Sequence, residues 1–326
     1  MDATTPTQSP FLPGTQVQYA WDSTSLSDFK KCPRYYQYVM LDGWSAKDES
    51  VHLRFGIEYH AALQDYDLSR AANIQHDEAV HDVLRELLLR TADFDSDHKT
   101  KTREGLVRTV VWYLDKHKDG AARTHILSDG KPAVEQSFRF ELDWGPRQVI
   151  GAPPTTDGVI TSTDPSATGQ PYLLCGHLDK VVSFNGELYW KDYKTVYSFY
   201  NQIWEPHNQM TLYSFAAKVI LGSPVKGGII DMAQVKADST DFQRAFTSRT
   251  EDQIKEWVND LHYWFALQEQ FALAGYFPMN DTACGMYGGC RFRDICSKSP
   301  QVRERFLESN FIKLEEKDRW NPLRAR

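Results

Sequence analysis

The chain has 326 residues, 41% hydrophobic and 13% aromatic, with a net charge of −7 at neutral pH. This length can bury one large core or two smaller ones, and the composition excludes a disordered chain. No apolar run reaches the ~18 residues of a membrane span, and the charge excludes a protein that coats nucleic acid through bulk attraction, though not one with a local basic groove.

In chain order, residues 1–16, rich in Thr, Pro, Ser and Gln, read as a flexible lead-in, and their polarity excludes a signal peptide, so a cytoplasmic protein with no membrane contact is expected. Ser25-Leu26-Ser27-Asp28 has the form of a capped helix start with Ser25 as N-cap, and this helix runs to Cys32 and stops at Pro33. Leu53, Ile57 and Ala61 recur at helical spacing with His60 beside them. Residues 81–90 and 103–117 read as amphipathic helices, completing a helical block from 52 to 120. Residues 133–142 alternate as a first strand and open a sheet region over 133–236, interrupted by a Pro-, Thr-, Ser- and Gly-rich loop over 152–170. Residues 204–221 predict a helix, 227–235 a strand, and 251–274 a long helix. Between Cys284 and Arg326 ten Lys/Arg stand against six Asp/Glu, and residues 301–326 read as a basic tail. The order suits an α/β domain over 17–300.

The densest chemistry lies in a hairpin. Residues 175–184 read as a strand, Asn185-Gly186 as a two-residue type I′ turn, and 187–194 as the return strand. Pairing Phe184 with Glu187 sets Asp179 opposite Asp192, with Lys194 two residues on and on the same face. Opposed positions bring Cβ atoms to about 4.5–5.5 Å, where like charges repel. Two carboxylates so placed call for a cation, and oxygen ligands suit Mg²⁺ or Mn²⁺. A metal with a lysine beside it can activate water and stabilise a phosphoryl transition state. The plainer reading is a surface hairpin whose acids are solvated.

Five cysteines occur, an odd number that argues against a disulfide framework. Cys284, Cys290 and Cys296 form an evenly spaced run in a glycine-rich segment, and Cys32, next to Pro33, is the candidate fourth thiolate. Four thiolates suit a [4Fe–4S] cluster or structural zinc, and the wide spacings favour iron–sulfur. Cys175, in the hairpin strand, reads as a small buried residue.

Gly176-His177-Leu178-Asp179, Asp192-Tyr193-Lys194 and Gln209-Met210-Thr211-Leu212-Tyr213 together resemble the signature of PD-(D/E)XK nucleases of the RecB type. The resemblance implies a restriction-endonuclease-like core with a small mixed sheet, an N-terminal helical block and a cysteine-rich C-terminal segment. In that family a histidine from an upstream helix completes the metal site, and Gly56-Ile57-Glu58-Tyr59-His60 resembles its motif, which makes His60 a ligand beside Asp179 and Asp192. Gln209 and Tyr213 share a helix face at i and i+4. By resemblance they contact the substrate strand or support Lys194. The cysteine layout resembles that of iron–sulfur members, among them CRISPR-associated four-cysteine exonucleases and phage recombination exonucleases, although their first cysteine pair is often tighter. The implied function is a divalent-metal-dependent DNA nuclease, an exonuclease on DNA ends or single strands, with a recombination, helicase or CRISPR adaptation protein as a partner. The rival class is a catalytically idle nucleic-acid- or protein-binding module stapled by iron–sulfur or zinc. An electron carrier is disfavoured by length and spacing.

Overall fold

The computed structural model describes residues 8–48, 50–146, 169–199 and 205–324. In chain order its elements are β1 (Ala20–Trp21), α1 (Ser23–Lys31), α2 (Pro33–Tyr36), β2 (Trp44–Ala46), α3 (Val51–Ala71), α4 (His76–Arg90), α5 (Arg103–His117), β3 (Arg123–Thr124), β4 (Val134–Glu141), β5 (Leu173–Phe184), β6 (Glu187–Val196), α6 (Asn208–Leu221), β7 (Val225–Val235), β8 (Thr240–Thr247), α7 (Glu251–Ala274), α8 (Arg293–Cys296), α9 (Arg303–Asn310) and β9 (Phe311–Lys313). The chain clusters into two compact units. One comprises Met1–Asp48, Ser137–Gly176 and Lys255–Arg326, the other Glu49–Gln136 and His177–Ile254.

In the first unit β1 pairs in parallel with the start of β5, Ala20 with Leu173 and Trp21 with Leu174. Trp21 stacks on Phe265 of α7 at 4.7 Å and on Tyr36 at 6.0 Å, with Phe29 edge-on. Burying an aromatic side chain completely is worth on the order of 2–3 kcal/mol, so this aromatic stack is a principal anchor of the N-terminal helices. The first helix is capped by Asp22, not Ser25. Asp22 accepts the Ser25 N–H at 2.9 Å, and Ser25 sits at the third helical position as the reciprocal half of a capping box. A serine read as the cap was thus the cap's partner. The helix does end at Cys32, ahead of Pro33. Within the expected lead-in, Leu12 is buried and its N–H bonds the Val17 carbonyl at 2.9 Å; residues 1–7 lie outside the described residues. The expected basic tail is folded: α9 leads into β9, which pairs antiparallel with β2.

The second unit carries the mixed sheet. The hairpin β5–β6 is antiparallel, β6–β7 parallel and β7–β8 antiparallel, and β3 adds to the other side of β5. Strand β8 was missed because its Thr-Asp-Phe-Gln-Arg-Ala-Phe-Thr run is interspersed with polar and charged residues. One face of β6 and β7 is covered by α3, α4 and α5 around Phe55, Tyr59, Leu63, Tyr66, Val83, Leu87, Val110 and Tyr113. The stripe Leu53, Ile57 and Ala61 is therefore not the core face of α3, and Leu53 and Ile57 are exposed. Two apolar stripes competed on this helix, and the one with the large aromatic rings won the interior. Helix α4 starts five residues earlier than read, and α6 starts at Asn208; Trp204 and most of the loop over 152–170 lie outside the described residues. Helices α5 and α7 fall where the sequence placed them.

Candidate active site

The hairpin turn is type I′, since Asn185 has φ +51° and Gly186 +82°, a left-handed pair that glycine and asparagine adopt at least cost. The register then follows: Phe184 pairs with Glu187, and the ladder continues to Lys180 opposite Lys191. One step further come Asp179 and Asp192. Here the Asp179 carboxylate, rather than a main-chain carbonyl, accepts the Tyr193 N–H at 3.1 Å. Lys194, two residues along β6, places Nζ 2.9 Å from both Asp192 oxygens and donates to Oδ1. His60 arrives from α3 with Nδ1 3.1 Å from Asp179 Oδ2. His60, Asp179, Asp192 and Lys194 therefore meet at one place, the three hairpin residues as the turn register predicts and His60 as the family resemblance implies.

Burial dominates the electrostatics. It raises the Asp192 pKa from 3.8 to about 6, with Asp179 adding to the rise and Lys194 and His60 opposing it. For Asp179 burial works the same way, but His60, Lys194 and the Tyr193 N–H together outweigh it and hold the carboxyl below its ordinary value. His60 is depressed by burial, yet the facing Asp179 carboxylate raises it overall. Two adjacent acids with opposite shifts mark a site tuned for more than structure.

The fit to a cation rests on one atom. Asp192 Oδ2 is buried, and its one polar neighbour is the Lys194 ammonium, 2.9 Å away and assigned as donor to Oδ1. A buried anionic oxygen is costly unless cations take its lone pairs; Lys194 answers part of that charge, and burial still leaves the carboxyl raised. Asp179, by contrast, is engaged by His60 and by the Tyr193 N–H, and among the described residues no group of three or more His, Cys, Asp or Glu is arranged to hold a metal ion. The oxygen-rich donor set suits Mg²⁺ or Mn²⁺.

Gln209 and Tyr213 do share a face of α6, where Gln209 Nε2 donates to Tyr213 Oη at 3.0 Å. Tyr213 is buried edge-on against Trp190 of β6 at 5.7 Å, which makes it a packing element beneath the site. Sequence reasoning overlooked His207, whose pKa burial pushes down to about 4, with Lys194 and Arg249 adding to it. Its position one residue before Asn208-Gln209 was the available signal. Overlooked too was the opposite face of the hairpin. Lys180 bonds Asp67 at 2.5 Å, Tyr193 Oη donates to Asp67 at 2.8 Å, and Lys191 lies 2.8 Å from Asp231, which Arg244 grips with two bonds of 2.6 and 2.8 Å. Lysines at inward positions of otherwise apolar strands were the sign of it.

The cysteines belong to the other unit and form no disulfide. Cys32 is buried and its Sγ accepts the Asn280 N–H at 3.3 Å. Burial raises the Cys284 pKa, and Cys290 and Cys32 raise it further; Cys296 is raised by burial against Arg303 and Arg34, again with Cys290 and Cys32 adding. Cys290 and Cys32 thus each act on both Cys284 and Cys296, although among the described residues no three of these side chains are arranged to hold a metal ion. Gly288 and Gly289, at φ +84° and +109°, allow the chain to reverse between Cys284 and Cys290. Cys175 is buried away from this set, and burial takes its pKa to about 12, as suits an inert core thiol.

The PD-(D/E)XK nuclease superfamily model matches residues 21–297. The chain belongs to this superfamily, and its mixed sheet flanked by helices is the α/β core of that family. Membership implies nucleic acid as the binding partner, and these nucleases generally use Mg²⁺ or Mn²⁺. A crystal structure from Eubacterium rectale, described as "Putative exonuclease", is similar at a TM-score of 0.47 and 11% identity, covering 86% of this chain and 89% of that one. No match is found among curated proteins. Among the described residues no helix is long and apolar enough to cross a membrane.

Proposed function

We propose that the protein is a divalent-metal-dependent DNA exonuclease acting on DNA ends or single strands. The observation that carries the reading is the Asp179–Asp192–Lys194–His60 cluster on one hairpin edge, with the buried Asp192 carboxylate ion-paired with Lys194 alone among the described residues. In this reading Asp179, Asp192 and His60 are the residues that would hold Mg²⁺ or Mn²⁺. When bound, the ion supplies Lewis acidity toward water and the scissile phosphate. Lys194, a quarter exposed beside the almost fully buried Asp192, presents an ammonium to the reacting phosphate and stabilises its developing charge. His60 orients Asp179 through Nδ1, and the Gln209–Tyr213 pair supports the strand that carries Asp192 and Lys194.

End-labelled linear duplex, circular duplex and single-stranded DNA, incubated with Mg²⁺ or Mn²⁺, test the reading. Linear and single-stranded substrates are degraded, circles are spared, and Asp192→Ala is inactive. Full activity of Asp192→Ala overturns the assignment, and equal loss of circles replaces exonuclease with endonuclease action.

A second reading concerns Cys32, Cys284, Cys290 and Cys296. The action of Cys290 and Cys32 on both Cys284 and Cys296, with the N–H···S bond to Cys32, favours a [4Fe–4S] cluster as a staple joining the N-terminal helices to the C-terminal segment. Anaerobically purified protein is then brown, with absorbance near roughly 400 nm. A colourless preparation with stoichiometric zinc reassigns the site to zinc.

A further inference from the structure

Neighbouring residues of a strand point to opposite faces, so the hairpin that presents Asp179 and Asp192 on one side presents Lys180 and Lys191 on the other. These lysines are a direct cross-strand pair and are buried, each 4% exposed. They line a cavity of about 260 Å³ together with Arg70, Lys118, Arg123 and Arg244. Asp67 is the one carboxylate of that lining. Asp231 behind it neutralises a further charge, and Lys118 is answered by Asp115 at 2.9 Å. Five cations then face two carboxylates. Arg70 donates to the Ile74 carbonyl and has no carboxylate partner among the described residues, and the Arg123 side chain makes no ion pair with a carboxylate there. A network serving structure alone closes on itself, whereas this one borders a cavity with cationic charge left uncompensated.

We propose that this cavity is a second anion site, distinct from the nuclease cluster, and that it takes a phosphate monoester of mononucleotide size or smaller. Charge sets the sign of the ligand, and arginines with the paired lysines suit phosphate oxygens. Size sets its upper limit, because about 260 Å³ falls below the ~300–1,000 Å³ of pockets for drug-sized ligands. Tyr66, Tyr113 and His117 add flat walls for a sugar or base. The site also touches the catalytic strand: Tyr193 joins Asp67 through its phenol and Asp179 through its N–H.

Calorimetry and thermal shift on the full chain, without divalent metal, test this with inorganic phosphate, deoxyadenosine 5′-monophosphate and deoxyadenosine. The monophosphate, phosphate or both bind and raise Tm, while deoxyadenosine does neither. Arg123→Ala, on an exposed side chain, weakens binding about tenfold, the loss of one charge-assisted contact. Asp192→Asn binds as the wild type, so this site stands or falls separately from the nuclease reading. Absence of binding at about 10 mM of both phosphates overturns the proposal. So does binding that Arg123→Ala leaves unchanged, or that Asp192→Asn abolishes.

Discussion

Asp192→Asn should make the metal-free protein more stable while abolishing cleavage. The side chain is 1% exposed, and its pKa stands at about 6 against an ordinary 3.8. A carboxyl that holds its proton more tightly when folded destabilises the fold as pH rises. The penalty is absent below about pH 3.8, grows as pH climbs toward 6, and is complete above it. At 1.36 kcal/mol per pKa unit the full penalty is about 3 kcal/mol. The amide keeps the shape and cannot ionise. At about pH 7.5 it should gain about 3 kcal/mol relative to the wild type, or about 4 °C in Tm for a chain of this length, and the gain should vanish near pH 4. Differential scanning calorimetry without metal, at several pH values, measures it. Adding Mg²⁺ should then stabilise the wild type by about 2.7 kcal/mol at a hundredfold excess over Kd and leave the variant unmoved. A variant less stable than wild type near neutral pH, or a difference constant across the pH range, would refute the view that burial of the Asp192 charge outweighs its pairing with Lys194.

Asp231→Asn should act in the opposite direction. Burial opposes its charge, but Lys191 and Arg244 hold its pKa well below the usual carboxylate range, so its stabilisation is present above about pH 3.9 and fades as pH falls. The amide leaves Lys191 buried without its counter-charge, at a cost of about 3–5 kcal/mol in urea unfolding near neutral pH; Lys191→Met in the same chain should recover much of it, and a double variant no better than the single refutes the pairing. Gly228→Ala should destabilise by about 1–3 kcal/mol or more, because a Cβ there meets the buried Trp190 ring; a urea midpoint equal to that of the wild type contradicts the packing. Cys32→Ser should bleach the chromophore of anaerobic protein and Cys175→Ser should not, judged by visible absorbance; the reverse pattern would remove Cys32 from the set.

The hairpin edge that carries Asp179 and Asp192 was legible because a two-residue turn leaves no freedom in register: once Asn185-Gly186 is a type I′ turn, the partners of Lys180, Val181 and Val182 are determined. Helices α5 and α7 were legible for a related reason, as each carries one unrivalled apolar stripe. Helix α3 was misread where two stripes competed, and only the tertiary fit of Phe55, Tyr59 and Tyr66 decides between them. The Asp22–Ser25 box was misplaced by three residues because both partners are capable caps. The charged network around Asp67 and Asp231 was invisible for another reason: its members are spread over α3, α5, β5, β6, β7 and β8, and no local pattern records a contact of such long range.

The alternation of acids and lysines in the hairpin has a consequence for how this gene can change. Inserting or deleting a single residue in either strand would swing the carboxylates into a nest of guanidinium and ammonium groups and push two lysines toward the nuclease cleft. Both halves would be ruined at once. A change of two residues preserves the sidedness, so length variation among descendants of this chain should come in even steps within these strands, with odd ones confined to the loops beyond them.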